Sequence, residues 1–176
     1  MATTNLRDSN IFMDFTVWIN NVGKIGASPG FQPPEIKMQT EEFRGGGMDG
    51  TVEIPLGVEK LEFDFEMHTW DPDIFNNLGY GPNALDCPIS FRGYMLTPSG
   101  VEKGVLIRTS SLIKEIKAAK IQAGKKAELT ISCVANVYEH KIDNKIVNAI
   151  SVFDKILIIN GVDKNVRARQ ILGFNA

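Results

Sequence analysis

Histidine and cysteine are scarce, with two of each in 176 residues. His68 and His140 stand alone, whereas a zinc-type site needs clustered donors, so no metal is expected. Cys87 precedes Pro88, and Cys133 lies in an apolar strand pattern. Nothing argues for a disulfide, and the expectation is a reduced pair with Cys133 buried. No apolar run reaches the roughly 18–20 residues that span a bilayer. Met1–Asp8 lacks a basic region followed by an apolar one. No secretory leader and no membrane anchoring are therefore expected, and the chain is expected to stay in the cytoplasm where it is made. A basic block is missing too, since the net charge is −2. Lys114, Lys117, Lys120, Lys125 and Lys126 flank Gly124 and read as solvated turn charges, not as a patch that grips phosphates.

Site motifs are equally thin. The glycine run Gly45–Gly47 is followed by Met48 and Asp49, where a phosphate-binding loop needs Lys and then Ser or Thr. Asp71 and Asp73 are explained by a helix N-terminus, and Glu62, Asp64 and Glu66 by a solvated strand face. There is no nucleophile elbow and no cysteine-enzyme signature. The expectation is a protein that is not an enzyme and takes no cofactor. Phe12, Phe15, Trp18, Phe63, Phe65 and Phe91 fall in strand patterns and read as core packing.

What is present is β-sheet patterning. The composition, 43% hydrophobic and 23% charged, is that of a globular protein, and residues 1–176 read as a single domain. Ile11–Ile19 is rich in strand formers, Asn20–Gly23 reads as a turn, and a short second strand is expected to reach Gly26. A Pro/Gly-rich loop follows at 28–34, and alternation resumes over Glu35–Thr40. Glu41–Gly50 is the least regular stretch, with a Gly-rich loop at 44–50 that is entropically costly to order. Val52, Ile54, Leu56 and Val58 alternate with Thr51, Glu53, Pro55 and Gly57. The phase then slips at Glu59–Lys60, and Leu61, Phe63, Phe65 and Met67 alternate with acids.

Asp71 as cap, Pro72 at the first helical position and Gly79 as stop predict a short helix with Ile74, Phe75 and Leu78 on one face. Strands are predicted over Ile89–Leu96, Val105–Ile121, Ala127–Tyr138 and Ser151–Asn160. Leu129, Ile131, Cys133, Ala135 and Val137 are expected to share a face. A tight hairpin is expected at Asp143–Asn144 and a terminal helix over Lys164–Leu172, ended by Gly173. The fold class is mainly β: an antiparallel sandwich or barrel with a short central helix and a short C-terminal helix.

These segments together resemble one family. Glu41 to Glu62, the opening Asn10-Ile11-Phe12-Met13-Asp14, the strand Phe91-Arg92-Gly93 and the ending Ile159-Asn160-Gly161-Val162-Asp163 are similar, in order, to the major tail tube proteins of contractile-tailed, myovirus-type phages and R-type pyocins. The resemblance implies a structural subunit of the tail-tube fold. Such subunits form hexameric rings that stack into a hollow tube inside a sheath. It implies itself, the tail sheath protein, the tape-measure protein and the baseplate hub as partners, with DNA passing through the lumen without specific binding. It places the protein in the virion tail, assembled in the bacterial host cytoplasm. On that basis Glu42, Phe43, Arg44, Gly45, Gly46, Gly47, Met48 and Asp49 are candidates for an inter-ring stacking loop. Glu62, Asp64 and Glu66 are candidates for a lumen-facing acidic strand, the alternative being that they face the sheath or solvent. Two other readings stay open: a tube component of a DNA-free injection or secretion device, and a monomeric ligand-binding β-barrel.

Overall fold

The computed structural model describes residues 9–81 and 84–174. The leader reading of Met1–Asp8 and the loop expected to open at Gly81–Pro82 fall outside them in whole or in part. Strand β1 (Ile11–Ile19) turns at Asn20 and Asn21, with φ of 48° and 63°, into β2 (Val22–Gly23). Asparagine tolerates that left-handed pair, which matches the twist of a two-residue hairpin. Strands β3 (Met38–Phe43) and β4 (Val52–Val58) form a separate two-stranded ribbon. Strand β5 (Leu61–Met67) leads to helix α1 (Pro72–Asn76). The long strands follow: β6 (Cys87–Leu96), β7 (Glu102–Ala118) and β8 (Leu129–Ile142). The chain ends in β9 (Lys145–Ser151), β10 (Ile156–Ile159), β11 (Val162–Asp163) and helix α2 (Val166–Leu172).

The hydrogen-bonding closes on itself. β8 pairs β7, β7 pairs β6, β6 pairs β1 and β1 pairs β2, all antiparallel. Leu129–Ala135 of β8 also pairs β5. The free edge of β5 is met by the Pro/Gly-rich segment that continues from β2. Gln32 N–H donates to the Asp64 carbonyl at 3.1 Å, and His68 N–H donates to the Ala27 carbonyl at 2.7 Å. Pro29, Pro33 and Pro34 have no N–H to give, so this seam is irregular, not a laddered strand. The result is a barrel filled by its own side chains. Leu61, Phe63, Phe65 and Met67 point in, and Glu62, Asp64 and Glu66 point out. Val17, Ile89, Ile113 and Ile131 complete the interior.

Phe31 holds the seam. Its ring stacks on Phe91 of β6 at 4.9 Å and lies 5.8 Å from Phe63 of β5. Phe15 stacks on the same Phe91 at 5.2 Å. Aromatic pairs of this kind contribute about 0.5–1.5 kcal/mol each beyond the area they bury. Not every predicted core aromatic is inside: Phe12 is exposed, and Trp18 is half-buried under the Arg92 guanidinium, 4.9 Å from its ring.

Other expectations shift in detail. Glu41, Glu42 and Phe43 belong to β3, so the irregular stretch begins at Arg44. Pro55 and Gly57 sit in β4, which is tolerated because the ribbon is two-stranded and bulged at Gln39–Thr40. Val137 leaves the core face: a bulge opposite Ser110–Ser111 inserts a residue, so Tyr138 points inward instead. The strand expected over Ser151–Asn160 is broken by a turn, and only Ile156–Ile159 is laddered as β10. Helix α1 stops at an Asn77 cap, before Gly79, and Phe75 is exposed while Ile74 is buried. Gly79 instead permits close approach to β7. A Cβ there would lie 2.6 Å from the Leu112 side chain, and its N–H donates to the Ile113 carbonyl at 3.1 Å. Both cysteines are buried and free, and burial pushes the Cys87 thiol up to about 11.

One buried ion pair ties α1 to the barrel end. The Lys24 ammonium, 8% exposed, donates to the Asp71 carboxylate and, at 3.1 Å, to Asp73. Asp71 also caps the helix by accepting from Asp73 N–H at 3.0 Å. The Lys24 hydrogen bond, then the cap, hold the Asp71 carboxyl below the usual range. The Asp71 bond holds Lys24 above its usual range against the opposing effect of burial.

Two predictions follow the packing and the charge. Phe31→Ala should lower unfolding free energy by about 2 kcal/mol in urea denaturation, while Phe75→Ala stays within about 0.5 kcal/mol. The Asp71 contribution is present above its unfolded pKa of about 3.9 and is lost as pH falls through its lower folded value. The Lys24 contribution is present below about 10.4 and is lost as pH rises through its higher folded value. Asp71→Asn keeps a capping side chain, so its urea midpoint should be lower near neutrality and fall less steeply on acidification. An unchanged acid slope would remove the pair from that role.

Candidate assembly surfaces

The β3–β4 ribbon is the least self-sufficient part of the subunit. An isolated two-stranded ribbon is marginal in water. Every residue from Met38 to Leu56 is exposed except Gly45 and Met48, which are half-buried. Phe43 lies directly opposite Val52, and Ile54 follows on the same face by alternation. All three are close to half exposed. On the other face Glu42 lies directly opposite Glu53, a like-charge pair that weakens a hairpin.

The connecting loop turns on itself by Met48 N–H donating to the Gly45 carbonyl at 3.3 Å. Gly45 N–H in turn meets the Met48 sulfur at 3.2 Å. Gly47 has φ of +84°, which favours glycine. Gly46 is ordinary in φ, and a Cβ on it would meet nothing within 4 Å. Of the eight candidate residues, Glu42 and Phe43 therefore stand on the ribbon and Arg44 to Asp49 on its tip.

Glu62, Asp64 and Glu66 share the outer face of β5, one strand removed from the tip residues in the chain. They are not equivalent. Glu62 accepts from Lys60 at 3.0 Å and from Lys114 at 3.5 Å, and these cations, Lys60 first, hold its carboxyl below the usual range. Asp64 and Glu66 make no ion pair among the described residues.

Three further surfaces stand out, of which sequence reasoning missed the first and read the second, the lysine cluster, only as solvated turn charges. A groove of about 510 Å³ runs over the outer side of β6 to β10, with Arg92, Arg108, Glu139 and Asp154 on its walls. Its residues come from five strands, so no local motif announces it. The end of β7 and the β7–β8 turn carry Lys117, Lys120, Lys125 and Lys126, all exposed, beside the exposed Ile121 and Trp70. Helix α2 is tied to the sheet by Arg169, which reaches Asp163 at 2.6 Å and the Lys155 carbonyl at 3.2 Å. It buries none of its own residues and leaves Ile171 and Leu172 in the open. Apolar residues next to the Gly173 stop were the available signal. Among the described residues no group of three or more His, Cys, Asp or Glu could hold a metal ion, and no helix is long and apolar enough to cross a membrane.

A β-barrel filled by its own side chains, with exposed apolar and charged groups on a projecting ribbon, a turn and a terminal helix, is a β protein whose candidate contact surfaces are external. The chain belongs to the phage tail tube protein FII family, whose model matches residues 9–173. It is 26% identical over 162 residues to the tail tube protein of Escherichia phage P2, covering 90% of this chain and 94% of that one. It is 34% identical to the major tail tube protein of Serratia phage KSP20 over 53 residues, 30% of this chain and 31% of that protein. The fold is similar to two solved assemblies of an extracellular contractile injection system, each at 14% identity. One is the PVC sheath/tube terminator in the extended state, with TM-score 0.56 over 73% of this chain and 94% of that one. The other is the PVC sheath-tube complex, with TM-score 0.54 over 72% and 87%.

Proposed function

We propose that the chain builds the inner tube of a contractile phage tail: hexameric rings stacked into a hollow tube that houses the tape-measure protein and conducts DNA. The observation that carries this reading is the β3–β4 ribbon. It projects an apolar face and an unfavourable acidic pair into solvent, a cost that contact with a further chain offsets. Family membership and the tail tube relative from phage P2 support it. The sheath surrounds the tube and the baseplate hub starts it, with assembly in the bacterial host cytoplasm. A DNA-free injection device would use the same subunit, and the presence or absence of packaged DNA in purified particles separates the two.

Within that tube, Glu42 to Asp49 form the stacking loop between rings. The glycines leave the tip free to adapt, and the adjacent ring supplies contacts that the exposed loop lacks in the single subunit. Glu62, Asp64 and Glu66 line the lumen, Glu62 with Lys60 and Lys114 beside it, where carboxylates repel DNA phosphates over a Debye length of about 8 Å.

Two measurements test these assignments. Gly46→Val places its side chain in open space, so the subunit should remain folded and soluble. Tube growth by negative-stain electron microscopy should nevertheless stop, and tubes growing normally from that variant would sink the stacking role. A reconstructed map of the tube should show Asp64 and Glu66 on the inner wall. If both turn toward the sheath, the lumen assignment fails and the acidic face becomes a sheath contact.

A further inference from the structure

Two exposed surfaces lie at opposite ends of β5. The ribbon enters β5 at Leu61, and the β7–β8 turn meets the other end, where Met67 pairs with Leu129. Seven residues of strand separate them, about 20 Å at roughly 3.3 Å per residue. The ribbon carries Glu41, Glu42, Asp49 and Glu53 against a single cation, Arg44. The end of β7 and the β7–β8 turn carry Lys117, Lys120, Lys125 and Lys126 against a single carboxylate, Glu128. None of these residues makes an ion pair among the described residues.

Each surface is also unfinished in a way the other completes. The Glu42–Glu53 repulsion calls for cations from outside the ribbon. Lys120, Lys125 and Lys126, with Glu128, line a recess of about 180 Å³ that includes Trp70 and Ile121, the latter 81% exposed. That recess offers apolar contact to Phe43 and Ile54, which the ribbon leaves uncovered. Charge meets opposite charge, and apolar surface meets apolar surface.

We propose that the acidic β3–β4 ribbon of one copy docks on the lysine-bearing β7–β8 turn of a second copy. The inference rests on the tube reading and adds the receiving surface and the polarity. The two patches differ and stand at opposite ends of the barrel, so the contact is heterologous and propagates head to tail. Electrostatic attraction sets both the register and the rate of encounter.

The test is assembly of the full chain, followed by sedimentation and negative-stain microscopy at about 0.05 M and about 0.5 M salt, where the Debye length falls from roughly 14 Å to roughly 4 Å. The concentration needed for half assembly should rise about tenfold or more over that range. The combined change Lys120→Glu, Lys125→Glu and Lys126→Glu should leave a folded monomer by circular dichroism that no longer assembles. Adding Glu42→Lys, Asp49→Lys and Glu53→Lys to the same chain should restore assembly.

Tubes formed by the lysine variant at the unaltered concentration, or assembly indifferent to salt, would overturn the proposal while leaving the tube reading intact. So would a lysine variant that assembles normally but loses retention of duplex DNA, since the turn would then serve nucleic acid. The salt arm needs no variant and decides the matter if the lysine change prevents folding. An unaltered chain that stays monomeric at every ionic strength, even with baseplate hub added, would remove the tube reading and the docking with it.

Discussion

Strand β8 needs hydrogen-bond partners along both edges of its fourteen residues. One edge is taken entirely by β7. No single strand covers the other: β5 takes Leu129–Ala135 and β9 takes Val137–Ile142. Between them Asn136 is handled individually, its carbonyl accepting from Val152 N–H at 3.0 Å and its side chain donating to the Leu85 carbonyl at 3.1 Å. Because buried backbone groups must be paired, this division fixes the subunit. The first half of β8 closes a barrel through β5, and the second half carries β9, β10, β11 and α2 as an extension. The bulge at the junction keeps inward-facing residues inward across the change of partner.

Closure of the barrel leaves the chain little interior for anything else and moves its chemistry outside. The aromatic group of Phe15, Phe31, Phe63 and Phe91 fills the place where β5, the Pro/Gly-rich segment and β6 converge. Segments that cannot join the barrel are left exposed: the β3–β4 ribbon, the β7–β8 turn and α2. In a subunit that acts alone such surfaces would favour aggregation. In one that repeats, they are surfaces available for contact with a further copy.

Much of the strand content was legible because two-residue alternation is a local property. Leu61 to Met67 reads the same in sequence and in structure, since its inward and outward sets differ sharply in polarity. The Asp71–Pro72 start of α1 and the Gly173 end of α2 were legible for the same reason, as caps depend on neighbours within a turn. The Asn20–Asn21 and Asp143–Asn144 turns follow from residues that accept positive φ. Phe31 was not legible, because an aromatic in a loop of prolines acquires its role only from rings distant in the chain. Val137 was misplaced for a comparable reason: its bulge is set by Ser110–Ser111 on another strand.

For the assembly surfaces the division is sharper. The glycine run, the acidic alternation and the lysine cluster are all visible in the sequence, and so is the order of segments that resembles the tail tube family. Local residue chemistry determined that this is a mainly β chain with an adaptable loop at 44–50 and without the motifs of a metal or phosphate site. Only the tertiary structure decided that Glu42 faces Glu53, that Lys60 and Lys114 pair with Glu62, and that the β3–β4 ribbon and the β7–β8 turn meet opposite ends of β5. Each depends on register or on which strands meet, and these are fixed by long-range pairing and packing, not by any stretch of sequence read alone.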